Sequence, residues 1–205
     1  MQSIRWSLVV WGALLAGPAG AQVFSIQPGA YRTAAAFHRR VAQPAGVDAF
    51  YPDKHGMVVV VVPRGPQTVK LRVDPDSLWG YVSSKGRTRR LYQGGEYQLE
   101  AADTLAIYTS STLPGGGGGG NGPAALTPGA NALGPYSAPR YFFSRGLTGL
   151  IFPLTPRYLR EAYAASNPVF VSSLSKLRAD QSLTDFDRKT GLFRITTLYR
   201  AAGGR

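Results

Sequence analysis

The chain of 205 residues contains no cysteine, and this absence excludes several classes of protein at once. Without thiols there is no disulfide framework, no thiolate zinc or iron–sulfur site and no cysteine nucleophile. The lipid-attachment cysteine of an exported lipoprotein is missing as well. Only 2 histidines are present, which leaves little room for a histidine-rich metal site. We therefore expect no metal site and no cofactor.

Acidic residues are also scarce: 11 Asp and Glu stand against 23 Lys and Arg, giving a formal net charge of +12 at pH 7. The hydrophobic fraction of 44% is nevertheless high enough for the chain to fold around a core rather than remain disordered. A positive field attracts polyanions, and the 18 arginines suit bidentate contacts with phosphate or carboxylate. An arginine-biased genome is the alternative explanation of the same charge.

The first residues have the three parts of an export signal. Arg5 supplies the positive charge, residues 8–15 are apolar apart from one glycine, and Ala19 and Ala21 form a small-residue cleavage pattern. The apolar stretch is well short of the roughly 20 residues that span a bilayer. The sequence predicts a signal peptide over residues 1–21 and no later transmembrane anchor. The mature protein is then expected in the periplasm, at the cell surface or outside the cell.

Residues 22–112 are predicted to form a β-rich domain. Residues 57–62 are an apolar, mostly β-branched run, typical of a strand buried on both faces. Residues 68–74 alternate between apolar and basic side chains, as in a half-buried strand. Turn signals recur about every 8–12 residues, a spacing typical of all-β units. The sequence therefore predicts an α+β protein built on an antiparallel β-meander, arranged as a sandwich or a barrel-like sheet, with a short helical C-terminal segment.

The composition changes after this domain. Residues 113–139 are rich in glycine and proline and carry no charge, so we expect a flexible linker. Residues 140–205 are predicted to be mainly helical after one strand at 141–144. Residues 192–199 fit either a helix or a strand, with a slight preference for a helix. Polar N-cap residues predict three helix starts, at Thr155, at Asn167, and at Ser182 or Thr184.

Two short motifs are typical of serine hydrolases but do not define one here. Residues 173–176 fit S-x-x-K and residues 189–191 fit K-T-G, yet they lie close together, whereas in that fold they are far apart. Asp48, Asp53 and His55 have the chemistry of a metal or acid–base site. A proline-containing turn explains Asp53 and Gly56 without a function, and the neighbouring Lys54 would oppose a bound cation, so the sequence favours a loop here. No pair of carboxylates is singled out by its spacing. A polymer hydrolase with paired carboxylates is thus an alternative without assigned residues.

The sharpest functional feature is a run of four cations at a predicted hairpin tip: Lys85, Arg87, Arg89 and Arg90. Alternation places Arg87 and Arg89 on one face of the strand. We predict that this tip binds a polyanion, namely an acidic glycan, lipopolysaccharide or another envelope polymer, with no specific nucleic-acid partner. Trp79, Tyr81 and Tyr92 lie nearby as possible stacking surfaces. The alternative interpretation is that the cations protect an exposed sheet edge and that the aromatic residues belong to the core.

Two stretches of sequence carry a resemblance. Residues 78–81, together with the tyrosines that follow in the β-rich part, and residues 141–144 with the helices after them, resemble a broad group of uncharacterised exported proteins of Gram-negative bacteria. The resemblance implies an exported β-rich protein with a short helical tail, and it assigns no activity or site residue.

The sequence as a whole favours a non-enzymatic binding or structural module of the cell envelope with affinity for acidic polymers. A hydrolase and a scaffold or assembly subunit are the two alternatives. A scaffold subunit is expected to expose a contiguous apolar patch.

Overall fold

The computed structural model describes residues 26–110, 140–178 and 181–204. The predicted signal peptide and the predicted linker lie outside these residues. The described ranges contain four α-helices, namely α1 Ala34–His38, α2 Pro156–Tyr163, α3 Pro168–Ser175 and α4 Arg194–Ala201. They also contain twelve strands: β1 Gly29–Tyr31, β2 Asp48–Phe50, β3 Val58–Arg64, β4 Gln67–Val73, β5 Gly80–Val82, β6 Thr88–Tyr92, β7 Gly95–Ala101, β8 Leu105–Ser110, β9 Arg140–Arg145, β10 Phe152–Pro153, β11 Phe186–Asp187 and β12 Leu192–Phe193.

Seven strands form one open antiparallel sheet in the order β1-β5-β6-β7-β8-β9-β10. Strands β5 to β10 follow one another as a meander, and β1 pairs with β5 at one edge. Side chains paired across antiparallel strands point to the same side of a sheet. The register therefore defines one face, called here the front face, by a row of six residues: Ala30, Tyr81, Arg89, Gln98, Thr109 and Tyr141.

A second antiparallel sheet, β2-β3-β4, covers the front face at the β1–β5 edge. Val58 and Val60 of β3 share a buried cluster with Ala30 and Tyr81 of the large sheet. Val59, which points the other way along β3, is buried as well. The first half of β3 is thus buried on both faces, as its unbroken apolar run predicts.

The C-terminal helices cover the same front face at its opposite end. Leu105, Ile107 and Phe143, on β8 and β9, share one buried cluster with side chains from all three of these helices: Leu159, Tyr163, Phe170, Ile195 and Tyr199. Burying a side chain of this size contributes about 1.5–3 kcal/mol, so these contacts hold the helices firmly on the sheet. Among the helices of the described ranges, none is long and apolar enough to cross a bilayer.

The back face is covered by α1 and by the loop that follows β9. Phe37 of α1 stacks on Trp79 with 4.7 Å between the ring centroids. The indole Nε1 of Trp79 donates a hydrogen bond of 2.7 Å to the carbonyl of Leu147 in the loop. Both faces of the large sheet therefore contribute to a core, and the antiparallel α+β architecture predicted from the sequence is confirmed.

Two of the three predicted helix starts are confirmed. Thr155 accepts a hydrogen bond from the N–H of Tyr158 at 3.4 Å, and Asn167 accepts one from the N–H of Phe170 at 2.9 Å. Each is followed by proline at the first helical position, which has no N–H to lose. Residues 192–199 begin as the short strand β12 and continue as α4, so the slight preference for a helix holds for most of them.

The third predicted start, at Ser182 or Thr184, is wrong. This part of the chain enters strand β11, which pairs with β12 in a small hairpin. The carboxylate of Asp187 accepts a hydrogen bond of 2.8 Å from the N–H of Lys189, and Gly191 adopts a positive φ of 67°. Asp187 therefore closes a turn, because a side-chain hydrogen bond to the backbone two residues further on competes with helix formation.

Asp53 holds the loop between β2 and β3. Its Oδ1 accepts hydrogen bonds from the N–H groups of Met57 at 2.9 Å and His55 at 2.8 Å, and its Oδ2 accepts one from Arg72 Nε at 2.7 Å. These contacts, with the bond from Met57 as the largest cause, lower the pKa of Asp53 from 3.8 to about 2. The turn interpretation of Asp53 accounts for these contacts, which join the loop to Arg72 of β4.

This geometry predicts an acid-dependent loss of stability. A carboxylate whose pKa is lowered on folding stabilises the folded state above its unfolded pKa, and this contribution is lost as the pH falls through the folded value. Asp53→Asn should therefore lower the melting temperature at pH 7, and the difference from wild type should shrink between pH 4 and about pH 2. Thermal melts followed by circular dichroism across this range measure the effect.

Asp76→Asn is the matched control, because Asp76 is an exposed carboxylate on the turn before β5. Its melting curve should follow that of wild type at every pH. A constant difference between wild type and Asp53→Asn down to pH 2 would show that the contacts of Asp53 do not perturb its ionisation.

Candidate functional site

The hairpin between β5 and β6 has a well-defined tip. The N–H of Ser83 bonds to the carbonyl of Arg87 at 3.0 Å, and the N–H of Gly86 bonds to the carbonyl of Ser83 at 2.9 Å. Gly86 has a positive φ of 71°, a conformation that side chains with a Cβ rarely adopt. The turn leaves Lys85 and Arg87 exposed on either side of this glycine.

The second sheet holds this tip in place. Oδ1 of Asp48, at the start of β2, accepts a hydrogen bond from the N–H of Ser84 at 2.7 Å and one from the N–H of Ala49 at 2.9 Å. A hydrogen bond to a charged acceptor is stronger than one between neutral groups. The hairpin tip and β2, which lie far apart in sequence, therefore form one surface.

A cavity of about 230 Å³ lies between β2 and the hairpin, and we call it the cationic cleft. Its walls include Asp48, Phe50, Tyr81, Lys85, Arg87 and Arg89. Three of the four cations predicted from the sequence thus line one cavity, with Arg87 and Arg89 on the same face as alternation requires. Phe50 adds a ring that is 38% exposed, although it is a large apolar side chain.

Two residues of the cleft wall, Tyr81 and Arg89, also contact Glu96, which is not itself part of the wall. Tyr81 donates a hydrogen bond to Oε1 of Glu96. Burial, followed by this bond, raises the pKa of Tyr81, so its hydroxyl stays protonated and serves as a fixed donor. Arg89 Nη1 lies 3.9 Å from Oε2 of Glu96, which is an ion pair but too long for a direct hydrogen bond. The N–H groups of Arg89 are therefore not committed to that oxygen.

Arg90, the fourth predicted cation, lies on the back face and is only 4% exposed. Its Nη1 donates to the hydroxyls of Tyr108 at 3.1 Å and Ser144 at 3.2 Å, and its Nη2 donates to the carbonyl of Gly149 at 2.8 Å. The guanidinium also lies 5.7 Å from the centroid of the Tyr108 ring. Arg90 thus joins β6, β8, β9 and the following loop, and the structure separates it from the other three cations.

The aromatic residues named with the cations have different environments. Trp79 and Tyr81 are 8% and 4% exposed and belong to core clusters. Tyr92 packs against the back-face cluster. Two aromatic residues line the cleft, Tyr81 and Phe50, and of these Phe50 is the exposed one. The sequence does not assign Phe50 to the site, because β2 has only three residues and shows no alternation to assign a face. For Asp48 the sequence indicates only a metal or acid–base role.

In the walls of the two cavities, acidic residues occur singly. Each of the two cavities described here has one acidic residue in its wall, Asp48 in the cationic cleft and Asp76 in a second cavity of about 240 Å³ beside Tyr51. Neither cavity holds the facing pair that acid–base hydrolysis of a glycoside requires. Across the described ranges, no group of three or more His, Asp or Glu side chains is positioned to hold a metal ion.

Comparisons with known proteins add no assignment. No family model, no curated protein and no solved structure matches this chain. Fold and site by themselves define the class as an α+β protein with an open antiparallel sheet and a positively charged cleft beside a second sheet. Any assignment of function therefore depends on the chemistry of that cleft.

The different environments of two neighbouring arginines give a test. Arg90→Ala removes three hydrogen bonds, two of them buried, and leaves a cavity, so it should lower the free energy of unfolding by about 2–4 kcal/mol. Arg87→Ala removes the same type of side chain from an exposed position and should change it by less than about 0.5 kcal/mol. Urea unfolding of both variants measures the difference. Equal stabilities would mean that Arg90 is not the buried connection described above.

Proposed function

We propose that this protein is a non-enzymatic binding module of the cell envelope and that its cationic cleft binds an acidic polymer. The observation that supports this proposal best is the convergence of Lys85, Arg87 and Arg89 on one cavity. These side chains come from a turn and a strand that are fixed by hydrogen bonds, so little backbone conformational entropy is lost on binding.

The three cations differ in how they meet a ligand. Lys85 and Arg87 are exposed at the rim, where charge attracts an approaching anion but is screened by salt. The side chain of Arg89 is only 23% exposed, so its contacts are made where water is partly excluded and are correspondingly stronger. Such an arrangement suits capture at the rim by Lys85 and Arg87, followed by bidentate contact with Arg89.

The net charge acts in the same direction over longer distances. With a formal charge of +12, the whole chain attracts polyanions before any specific contact forms. The location in the envelope follows from the predicted export signal, and acidic glycans and lipopolysaccharide are the polyanions expected there.

Charge reversal at the rim tests the proposal. The double variant Lys85→Glu/Arg87→Glu should weaken binding to soluble polygalacturonate and polyphosphate by about tenfold or more at moderate salt, because each cation near an anionic surface contributes about 1 kcal/mol. Fluorescence anisotropy of the labelled polymer, at about 0.15 M ionic strength, measures the affinity.

The matched control is Arg64→Glu/Lys70→Glu, which changes the net charge equally at exposed positions of the β3–β4 hairpin, outside the cleft. It should weaken binding far less. If both double variants lose affinity equally, the attraction is due to net charge alone and the cleft is not the binding site.

A further inference from the structure

The front face of the large sheet has an uncovered middle. At one end of the row that crosses it, Ala30 and Tyr81 are buried under the second sheet. At the other end, Tyr141 packs against Phe193 of the helical layer with 6.0 Å between the ring centroids. The residues between these covers are Arg89, Gln98 and Thr109, which are all polar and all partly exposed.

The middle of the sheet carries its own hydrogen-bonded group, which we call the polar strip: Gln98, Glu100 and Thr109. Oε1 of Glu100 accepts a hydrogen bond from Gln98 Nε2 at 2.8 Å and one from Thr109 Oγ1 at 2.5 Å. Gln98 is the register partner of Arg89, so the strip begins where the cationic cleft ends. From β6 to β8 it extends the surface by two strand spacings, or about 10 Å.

We propose that the polymer is an acidic polysaccharide, whose charged groups bind in the cationic cleft and whose hydroxyl groups contact the polar strip. This inference rests on the proposed function of the cleft and specifies its ligand. A sugar hydroxyl both donates and accepts hydrogen bonds. Gln98 offers its second amide N–H as a donor and its carbonyl oxygen as an acceptor. The hydroxyl of Thr109, whose proton is donated to Glu100, and the carboxylate of Glu100 serve as acceptors. The strip therefore offers both a donor and acceptors to the hydroxyl groups of a sugar.

The exposed ring of Phe50 also favours a polysaccharide as the ligand. Phe50 is 38% exposed in the wall of the cleft, where its neighbours are charged side chains. The C–H face of a sugar ring is apolar, and placing it on an aromatic ring removes apolar surface of both from water. The cleft thus combines cations for the acidic groups of the polymer with an apolar surface for its rings.

A phosphate polymer fits the same surface less well. The oxygens of polyphosphate are hydrogen-bond acceptors, and many of them are negatively charged. The carboxylate of Glu100 repels these charges, and the phosphate oxygens cannot donate a hydrogen bond to the amide oxygen of Gln98. Polyphosphate also has no apolar face for Phe50. The two ligand classes share the cations of the cleft but differ at Phe50 and at the polar strip, so substitutions there distinguish them.

The test measures the affinity of the full chain for polygalacturonate, polyphosphate and uncharged dextran. Phe50→Ala and Gln98→Ala, which leave the net charge unchanged, should each weaken binding to polygalacturonate about fivefold, the size of one lost contact. Polyphosphate binding should change less than about twofold. Dextran should not bind measurably. Leu71→Ala is the control for Phe50→Ala, because Leu71 is equally exposed, at 40%, on β4 outside the cleft. Thermal melts verify that the variants are folded.

The outcomes separate this inference from the proposed function. If Phe50→Ala and Gln98→Ala bind polygalacturonate as tightly as wild type, or lose both polymers equally, the polysaccharide assignment is overturned. If polyphosphate binds at least as tightly as polygalacturonate and depends only on Lys85 and Arg87, the cleft is a phosphate-polymer site and only the inference fails. If the Lys85→Glu/Arg87→Glu variant binds both polymers like wild type, the proposed function fails with it.

Discussion

The alternation of side chains along β6 sends two neighbouring arginines to opposite faces of the sheet, and the rest of the site depends on this. Arg89 lies on the front face in the cationic cleft, whereas Arg90 lies on the back face among Tyr108, Ser144 and Gly149. A shift of register by one residue would exchange their roles, burying the binding cation and exposing the structural one. The backbone pairing of β5, β6 and β7 therefore decides both the stability of the back face and the charge of the front face.

The second sheet and the C-terminal helices decide which part of the front face stays exposed. The second sheet packs over β1 and β5, and the helices pack over β8 and β9, because these strands supply the apolar front-face residues. The strands between them have polar residues at the equivalent positions, Arg89 on β6 and Gln98 on β7. Burying these without partners would cost several kcal/mol each, so neither cover extends across the middle. The uncovered middle of the front face is thus a consequence of the sequence of β6 and β7.

The sequence predicts the features that depend on neighbouring residues, but not the contacts between residues that are far apart along the chain. Strands β3, β4 and β9, the hairpin with Lys85 and Arg87 at its tip, and the helix starts at Thr155 and Asn167 follow from side-chain patterns and from capping, which act over a few residues. The contact of Asp48 with Ser84 and the position of Phe50 depend on how two sheets pack, which no local pattern encodes. The burial of Arg90 is of the same kind, because Ser144 and Gly149 reach it only after β9 has joined the sheet.

The position of Asp48 shows why the cleft is more than a patch of positive charge. Its carboxylate lies in the wall with Lys85 and Arg87, so it lowers the local positive potential and weakens attraction to any anion. In return, its hydrogen bonds to the N–H groups of Ser84 and Ala49 fix the hairpin tip against β2. A surface that needed only to attract polyanions would gain from losing this carboxylate. A cleft that must hold cations and the Phe50 ring at fixed separations needs it, because specificity comes from the placement of groups more than from the total charge.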